Sequence, residues 1–139
     1  MRALLLAVLL ALGTPAVQAQ NTDPLQAFGG LPGLNALMLD FHARLRADAR
    51  IGHFFKDVKG PPFAEALAEQ ACQELGGPCQ YKGAPMKLLH QDFEIRASDF
   101  NALVEVLQAA MDARGIPFAV QNRLLARFAP MHRDIINTR

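Results

Sequence analysis

Apolar residues recur at helical spacing along most of this chain, and no stretch alternates with period two. Leu34, Leu37, Met38, Phe41 and Leu45 form one stripe. Phe100, Leu103, Val104, Leu107 and Met111 form a second, and Val120, Leu124, Phe128, Met131 and Ile135 a third. Residues at i, i+3, i+4 and i+7 share one face of an α-helix, whereas a half-buried strand needs strict alternation. The pattern argues against a sheet and predicts an all-α fold whose long helices each bury one face.

Prolines and glycines divide the stripes. The first begins just after Pro32-Gly33, and Ile51 to Phe55 is a short apolar piece expected to form a single helical turn. Pro61-Pro62 opens a helix that runs to about Leu75 and stops at Gly76-Gly77. Phe63, Leu67, Ala71 and Leu75 are its expected inner face. Pro78 to Ala84 reads as a loop. Ser98 is the expected N-cap of the next helix, Gly115 its stop, and Pro117 the start of the last. This arrangement places two long amphipathic helices in each half of the chain, with a short segment between the pairs.

The amino-terminal residues have another character. Arg2, the apolar run Ala3 to Leu12 and the small-residue sequence Val17-Gln18-Ala19 have the composition of a secretory leader, with cleavage expected before Gln20. The apolar run is too short for a stable membrane span. The expected organisation is therefore a signal peptide at 1–19 and one domain at 20–139, exported and in a bacterium periplasmic, with Gln20 to Gln26 as a linker. About 120 residues suffice for one core. Without Arg2 the domain carries 13 basic and 13 acidic residues and no basic cluster, so nucleic acid is not an expected partner.

Export gives meaning to the two cysteines. In an oxidising compartment Cys72 and Cys79, seven positions apart with Gly76-Gly77-Pro78 between them, can close a small ring worth roughly 2–3 kcal/mol. Two reduced thiols are the alternative. A metal pair is disfavoured, because no histidine or further cysteine stands nearby at ligand spacing.

The short middle segment carries the chemistry. Met86, Leu89, His90 and Phe93 stand at i, i+3, i+4 and i+7, so a helix would turn all four the same way. An imidazole among apolar neighbours either finds a hydrogen-bond partner or binds something. Spacing alone favours the first.

Taken together, several pieces resemble the group I truncated haemoglobins, small globins built as a two-over-two helical sandwich around haem. They are Phe28-Gly29-Gly30, Phe54-Phe55 after Arg50-Ile51, Leu75-Gly76-Gly77-Pro78 with Tyr81-Lys82-Gly83, and Met86 to His90. Leu124-Leu125-Ala126 with Pro130-Met131 and Arg133-Asp134-Ile135 resembles the family's last helix. The resemblance spans nearly all of the domain, in order. It implies haem b, held non-covalently since no Cys-x-x-Cys-His motif is present, with His90 as the proximal iron ligand. Phe54 and Phe55 would clamp the haem face, and Met86, Phe63 and Leu67 would line the pocket. Lys82, Lys87 or arginines are candidates for the propionates. The implied small partners are oxygen, nitric oxide and carbon monoxide, with an unidentified electron donor for any redox use.

The opposite side of the pocket departs from the family. Where many members carry a phenylalanine followed by a tyrosine that hydrogen-bonds to the gas, this chain has Phe41-His42. His42 is expected to point inward, either donating to the ligand or reaching the iron; a histidine bonded to backbone at the pocket edge is the alternative. Gln70, the nearest amide, lies about one turn beyond the family's usual polar position. The resemblance thus implies a distal side with few donors and weaker retention of oxygen. His53 is expected near the surface or haem edge, and His132 in a structural role. Because haem carries the chemistry, the resemblance does not require an enzyme; nitric oxide dioxygenase or peroxidase-like activity would need an outside reductant. A haem-free exported interaction protein and a haem sensor or shuttle are the competing functions.

Overall fold

The computed structural model describes residues 23–138, so the expected leader and its cleavage site lie outside the described residues. Within them the chain is helical and has no strand. The elements are α1 (Pro24–Ala27), α2 (Gly30–Ala47), α3 (Gly60–Glu74), α4 (Met86–His90), α5 (Ala97–Ala113), α6 (Phe118–Phe128) and α7 (His132–Ile135), with 3-10 turns at Gly52–Phe55 and Ala129–Met131.

Four long helices close a ring of contacts. α2 packs on α3 and α5, and α6 packs on the same two helices from the other side. The pairs α2/α3 and α5/α6 thus lie over one another, as expected for a two-over-two sandwich. The α2 stripe is buried as its spacing predicts, with Leu34, Leu37, Met38, Phe41 and Leu45 all in the core.

The α3 face differs from expectation. Its buried residues are Ala64, Ala68, Gln70, Ala71 and Cys72, while Phe63, Leu67 and Leu75 are only partly buried against the core. The buried face is mostly methyl-sized, which lets α3 lie close on α2 and turns the larger Phe63 and Leu67 toward its flank. Periodicity locates an apolar face by its bulk; here close approach selects the alanines.

α5 shows a milder version. Leu107 and Met111 are buried, joined by Ala102, Val106 and Ala110, whereas Phe100, Leu103 and Val104 are half-buried. The helix is flanked by α2, α6 and α7, so it spreads its apolar surface over several partners instead of one. Ser98 is not its N-cap. That position belongs to Arg96, whose backbone N–H donates to the Asp99 carboxylate at 2.9 Å.

The expected linker is partly structured. Asp23 caps α1 by accepting the Leu25 N–H at 3.1 Å, and Leu25 and Phe28 enter the core. Stops follow the glycines: Gly76 (φ 81°) and Gly115 (φ 67°) take the left-handed conformation just past α3 and α5. The third predicted stripe is broken at Ala129–Met131. Only Leu124 of that set is fully buried, and Val120, Phe128, Met131 and Ile135 are half-buried. No described helix is long and apolar enough to cross a membrane.

Candidate functional site

α4 is a five-residue helix between the irregular stretch 75–85 and the turn 91–93. Pro85 is its N-cap, and the Leu89 N–H returns to the Pro85 carbonyl at 3.1 Å. His90 is its last residue. Its Nδ1 lies 2.6 Å from the Met86 carbonyl oxygen, four residues back. A carbonyl can only accept, so Nδ1 carries the proton and Nε2 is left as the basic nitrogen, with no protein partner among the described residues. This is how a ligating imidazole is held: one nitrogen fixes the ring and the other is presented as a base.

The surroundings are apolar and unusually open. Leu89 is 46% exposed and Phe93 43%, values that a histidine serving only as a core residue would not require of its neighbours. Phe93 lies beyond the end of α4, with its N–H bonded to the His90 carbonyl at 3.1 Å. Its ring meets Phe54 edge-on at 6.2 Å and 81°, so the 3-10 turn at Gly52–Phe55 reaches across to the His90 segment. Phe55 is edge-on to Phe63 at 6.1 Å, which joins the same turn to α3. Phe54, Phe55, Phe63 and Leu67 are all partly buried against the core. The structure thus brings the predicted aromatic pair and the flank of α3 into one apolar region with Phe93. The donor set, one neutral imidazole among flat hydrocarbon surfaces, suits haem and offers no second protein ligand for a bare metal ion. Among the described residues no cluster of three or more His, Cys, Asp or Glu could hold such an ion.

His42 is placed otherwise than as a donor to a ligand. It is 6% exposed, and its Nε2 lies 2.8 Å from the carbonyl oxygen of Val58, which requires Nε2 to carry the proton. Phe63 packs on the ring at 5.2 Å, and Gly60 lies against its Nδ1 edge. The single N–H of the neutral ring is therefore committed to backbone, tying α2 to the strand of chain that enters α3. This geometry is that of the backbone-bonded histidine, the alternative to a histidine that donates to a ligand or reaches the iron.

Gln70 also faces away from a pocket role. It is buried, and its Nε2 lies 3.7 Å from the Met131 sulfur, on the side of α3 that faces the carboxy-terminal helices. His53 is exposed and stacks on Phe54 at 4.0 Å. His132 is exposed, bonds through Nδ1 to the Ala129 carbonyl at 2.8 Å and meets Phe100 at 6.3 Å. Lys82 and Lys87, the candidate propionate partners, are both exposed.

The loop leading to α4 is fastened at several points. Cys72 and Cys79 form a disulfide with Cα atoms 5.7 Å apart. A methyl group on Gly77 would stand 2.7 Å from the Cys72 sulfur and 2.9 Å from the Cys72 carbonyl oxygen, so only glycine fits at position 77. The Gln73 side-chain oxygen accepts the Tyr81 N–H at 2.8 Å, and the Tyr81 hydroxyl donates to the Ala84 carbonyl at 2.8 Å. Burial pushes the Tyr81 phenol above its ordinary pKa, so it stays a donor at neutral pH.

One residue of the site had no signal in the sequence. Asn137, near the carboxy terminus, donates from Nδ2 to the His90 carbonyl at 2.8 Å. Neither spacing nor composition links it to a segment so distant along the chain.

Comparisons with known proteins bear on the family and the fold. The model of the bacterial-like globin family matches residues 25–137. A group 1 truncated haemoglobin from Mycolicibacterium paratuberculosis is 31% identical over 118 residues, covering 85% of this chain and 87% of that protein. A group 1 truncated haemoglobin from Tetrahymena pyriformis is 27% identical over 111 residues, covering 80% of this chain and 92% of that one. The crystal structure of the Tetrahymena pyriformis protein in its Fe(III) form superposes with a TM-score of 0.76 at 26% identity, covering 83% of this chain and 98% of that one. The family-wide match and the shared helical architecture leave one conclusion: this chain belongs to the bacterial-like globins and is a truncated haemoglobin of group 1 type.

Proposed function

We propose that this protein binds haem b non-covalently through His90 and uses it to take up diatomic gases reversibly, chiefly oxygen, with nitric oxide and carbon monoxide as further ligands. The observation that carries the reading is the Met86 carbonyl bonded to His90 Nδ1, which leaves Nε2 basic and partnerless in an apolar region. When bound, haem supplies the iron at which a gas is held, and the protein supplies access, polarity and orientation.

Each side chain then has a defined task. His90 offers Nε2 to the metal while the Met86 carbonyl keeps its ring from turning. Phe54, Phe55, Phe93, Phe63 and Leu67 would exclude water from the macrocycle, with Met86 on the same short helix as His90. Lys82 and Lys87 are free to meet the propionates at the surface. The gas side is poor in donors, because His42 gives its N–H to Val58 and Gln70 faces α6 and its 3-10 extension. A hydrogen bond to the gas is worth about 1 kcal/mol or more, so a site without one releases oxygen roughly tenfold faster than a site that has one.

Export to an oxidising compartment is part of the same proposal. Its support is the leader-like sequence at 1–19 together with the Cys72–Cys79 disulfide, a bond rare in reducing compartments. Any turnover, such as nitric oxide oxidation, depends on an electron donor outside this chain.

The test is titration of the purified protein with hemin, followed by reduction and exposure to carbon monoxide. A stoichiometric Soret band that shifts on carbon monoxide and is lost in His90→Ala supports the proposal. A spectrum that stays that of free hemin at every ratio refutes it and favours a haem-free interaction protein.

A further inference from the structure

α4 cannot hold itself. Isolated helices of fewer than about 12 residues are marginal in water, and this one has five residues and none buried. It packs on α7, the last helix of the chain, and Asn137 lies just beyond α7. The Asn137 side chain bridges two points: Nδ2 donates to the His90 carbonyl at 2.8 Å, and Oδ1 accepts the Ile95 N–H at 2.8 Å. Its own backbone N–H and that of Thr138 both donate to the Ile95 carbonyl at 3.1 Å. Ile95 is buried, so the bridge runs from the open end of α4 to a point fixed in the core.

The His90 carbonyl is among those that a helix end leaves without an intrahelical partner. Phe93 N–H takes one of its lone pairs and Asn137 the other. Apart from the His90 ring itself, Asn137 is the one side chain among the described residues bonded to the α4 backbone. The imidazole and the clamp therefore belong to the same residue: one end is held by Met86, the other by Asn137.

We propose that Asn137 is a positioning residue for the proximal histidine, fixing the end of α4 so that Nε2 is presented to the iron in a single orientation. The proposal rests on His90 being the iron ligand. Asparagine suits the task because it must donate to one backbone group and accept from another at once. Aspartate keeps the acceptor for Ile95 but has no donor for His90, and it sets a carboxylate against a carbonyl oxygen.

The experiment compares the full chain with Asn137→Asp, Asn137→Ala and, as a control at an exposed asparagine of α6, Asn122→Ala, each reconstituted with hemin. Two quantities are read on the loaded proteins: the rate of hemin transfer to excess apomyoglobin, and the iron–histidine stretching band of the ferrous form by resonance Raman. A third is read without hemin, the amide hydrogen exchange of Leu89, His90 and Phe93. Both Asn137 variants are expected to lose hemin about tenfold faster, shift the band and exchange faster, with Asn122→Ala like wild type. Unchanged transfer, band and exchange in both variants overturn the proposal. So does a lowered melting temperature with an unmoved band and unmoved exchange, which makes Asn137 a residue of general stability alone. A wild-type chain that takes up no hemin refutes the haem reading instead, and the exchange measurement then decides whether Asn137 holds α4.

Discussion

His90 Nδ1 and the Met86 carbonyl oxygen stand 2.6 Å apart across one turn of α4. This contact makes Nδ1 the protonated nitrogen and leaves Nε2 free to bind. His90→Gly is expected to abolish high-affinity hemin uptake, and millimolar imidazole is expected to restore a Soret band by filling the space of the missing ring. Absorption titration with and without imidazole checks this. Uptake by His90→Gly equal to wild type would mean that another residue ligates the iron.

The Cys72–Cys79 bond closes a short ring between the end of α3 and the loop that leads to α4. By loop-closure entropy a bridge of this size stabilises the fold by about 2 kcal/mol. The Cys72→Ser, Cys79→Ser double variant should melt on the order of 10 °C lower than the oxidised protein, and wild type treated with a reductant should approach the variant. Calorimetry under both conditions measures it. Identical melting curves would show that the ring contributes nothing.

His42 Nε2 and the Val58 carbonyl lie 2.8 Å apart, bridging 16 positions of sequence. His42→Leu leaves that carbonyl without its partner and should cost about 1–2 kcal/mol of stability. Oxygen dissociation should change by less than about threefold, because no donor to the gas is removed. Stopped-flow oxygen release beside urea unfolding separates the two effects. A large rise in release rate in this variant would return His42 to the ligand.

Asp48 sits at the end of α2, where the Arg50 guanidinium bonds to both carboxylate oxygens, at 3.2 and 2.9 Å. That contact, helped by the Arg50 backbone N–H, lowers its pKa from 3.8 to about 2. A carboxylate held below its unfolded value stabilises the fold above the unfolded pKa and loses that contribution as pH falls through the folded one. Asp48→Asn should therefore melt below wild type at pH 7, with the gap closing as pH falls from about 4 toward 2. Thermal melts across that range test the sign. A gap that widens on acidification would refute it.

Read alone, the sequence determines what depends on neighbours within a turn or two. The α2 stripe, the stops at Gly76 and Gly115 and the loop before α4 all follow from local spacing and backbone preference, and the nearness of Cys72 to Cys79 makes their pairing one of two open readings. The Met86–His90 contact belongs with them, since a helix sets residues four apart over one another. Only the tertiary structure decides which face of α3 is buried, because close approach of α2 favours Ala64, Ala68 and Ala71 over the bulkier Phe63 and Leu67. It also decides the partner of His42, 16 residues away, and the hold of Asn137 on His90, 47 residues away. Hydrogen bonds at such separations leave no periodic trace. A polar side chain can satisfy itself with any backbone group the fold brings within 3 Å, and which group that is depends on the packing of every helix between them.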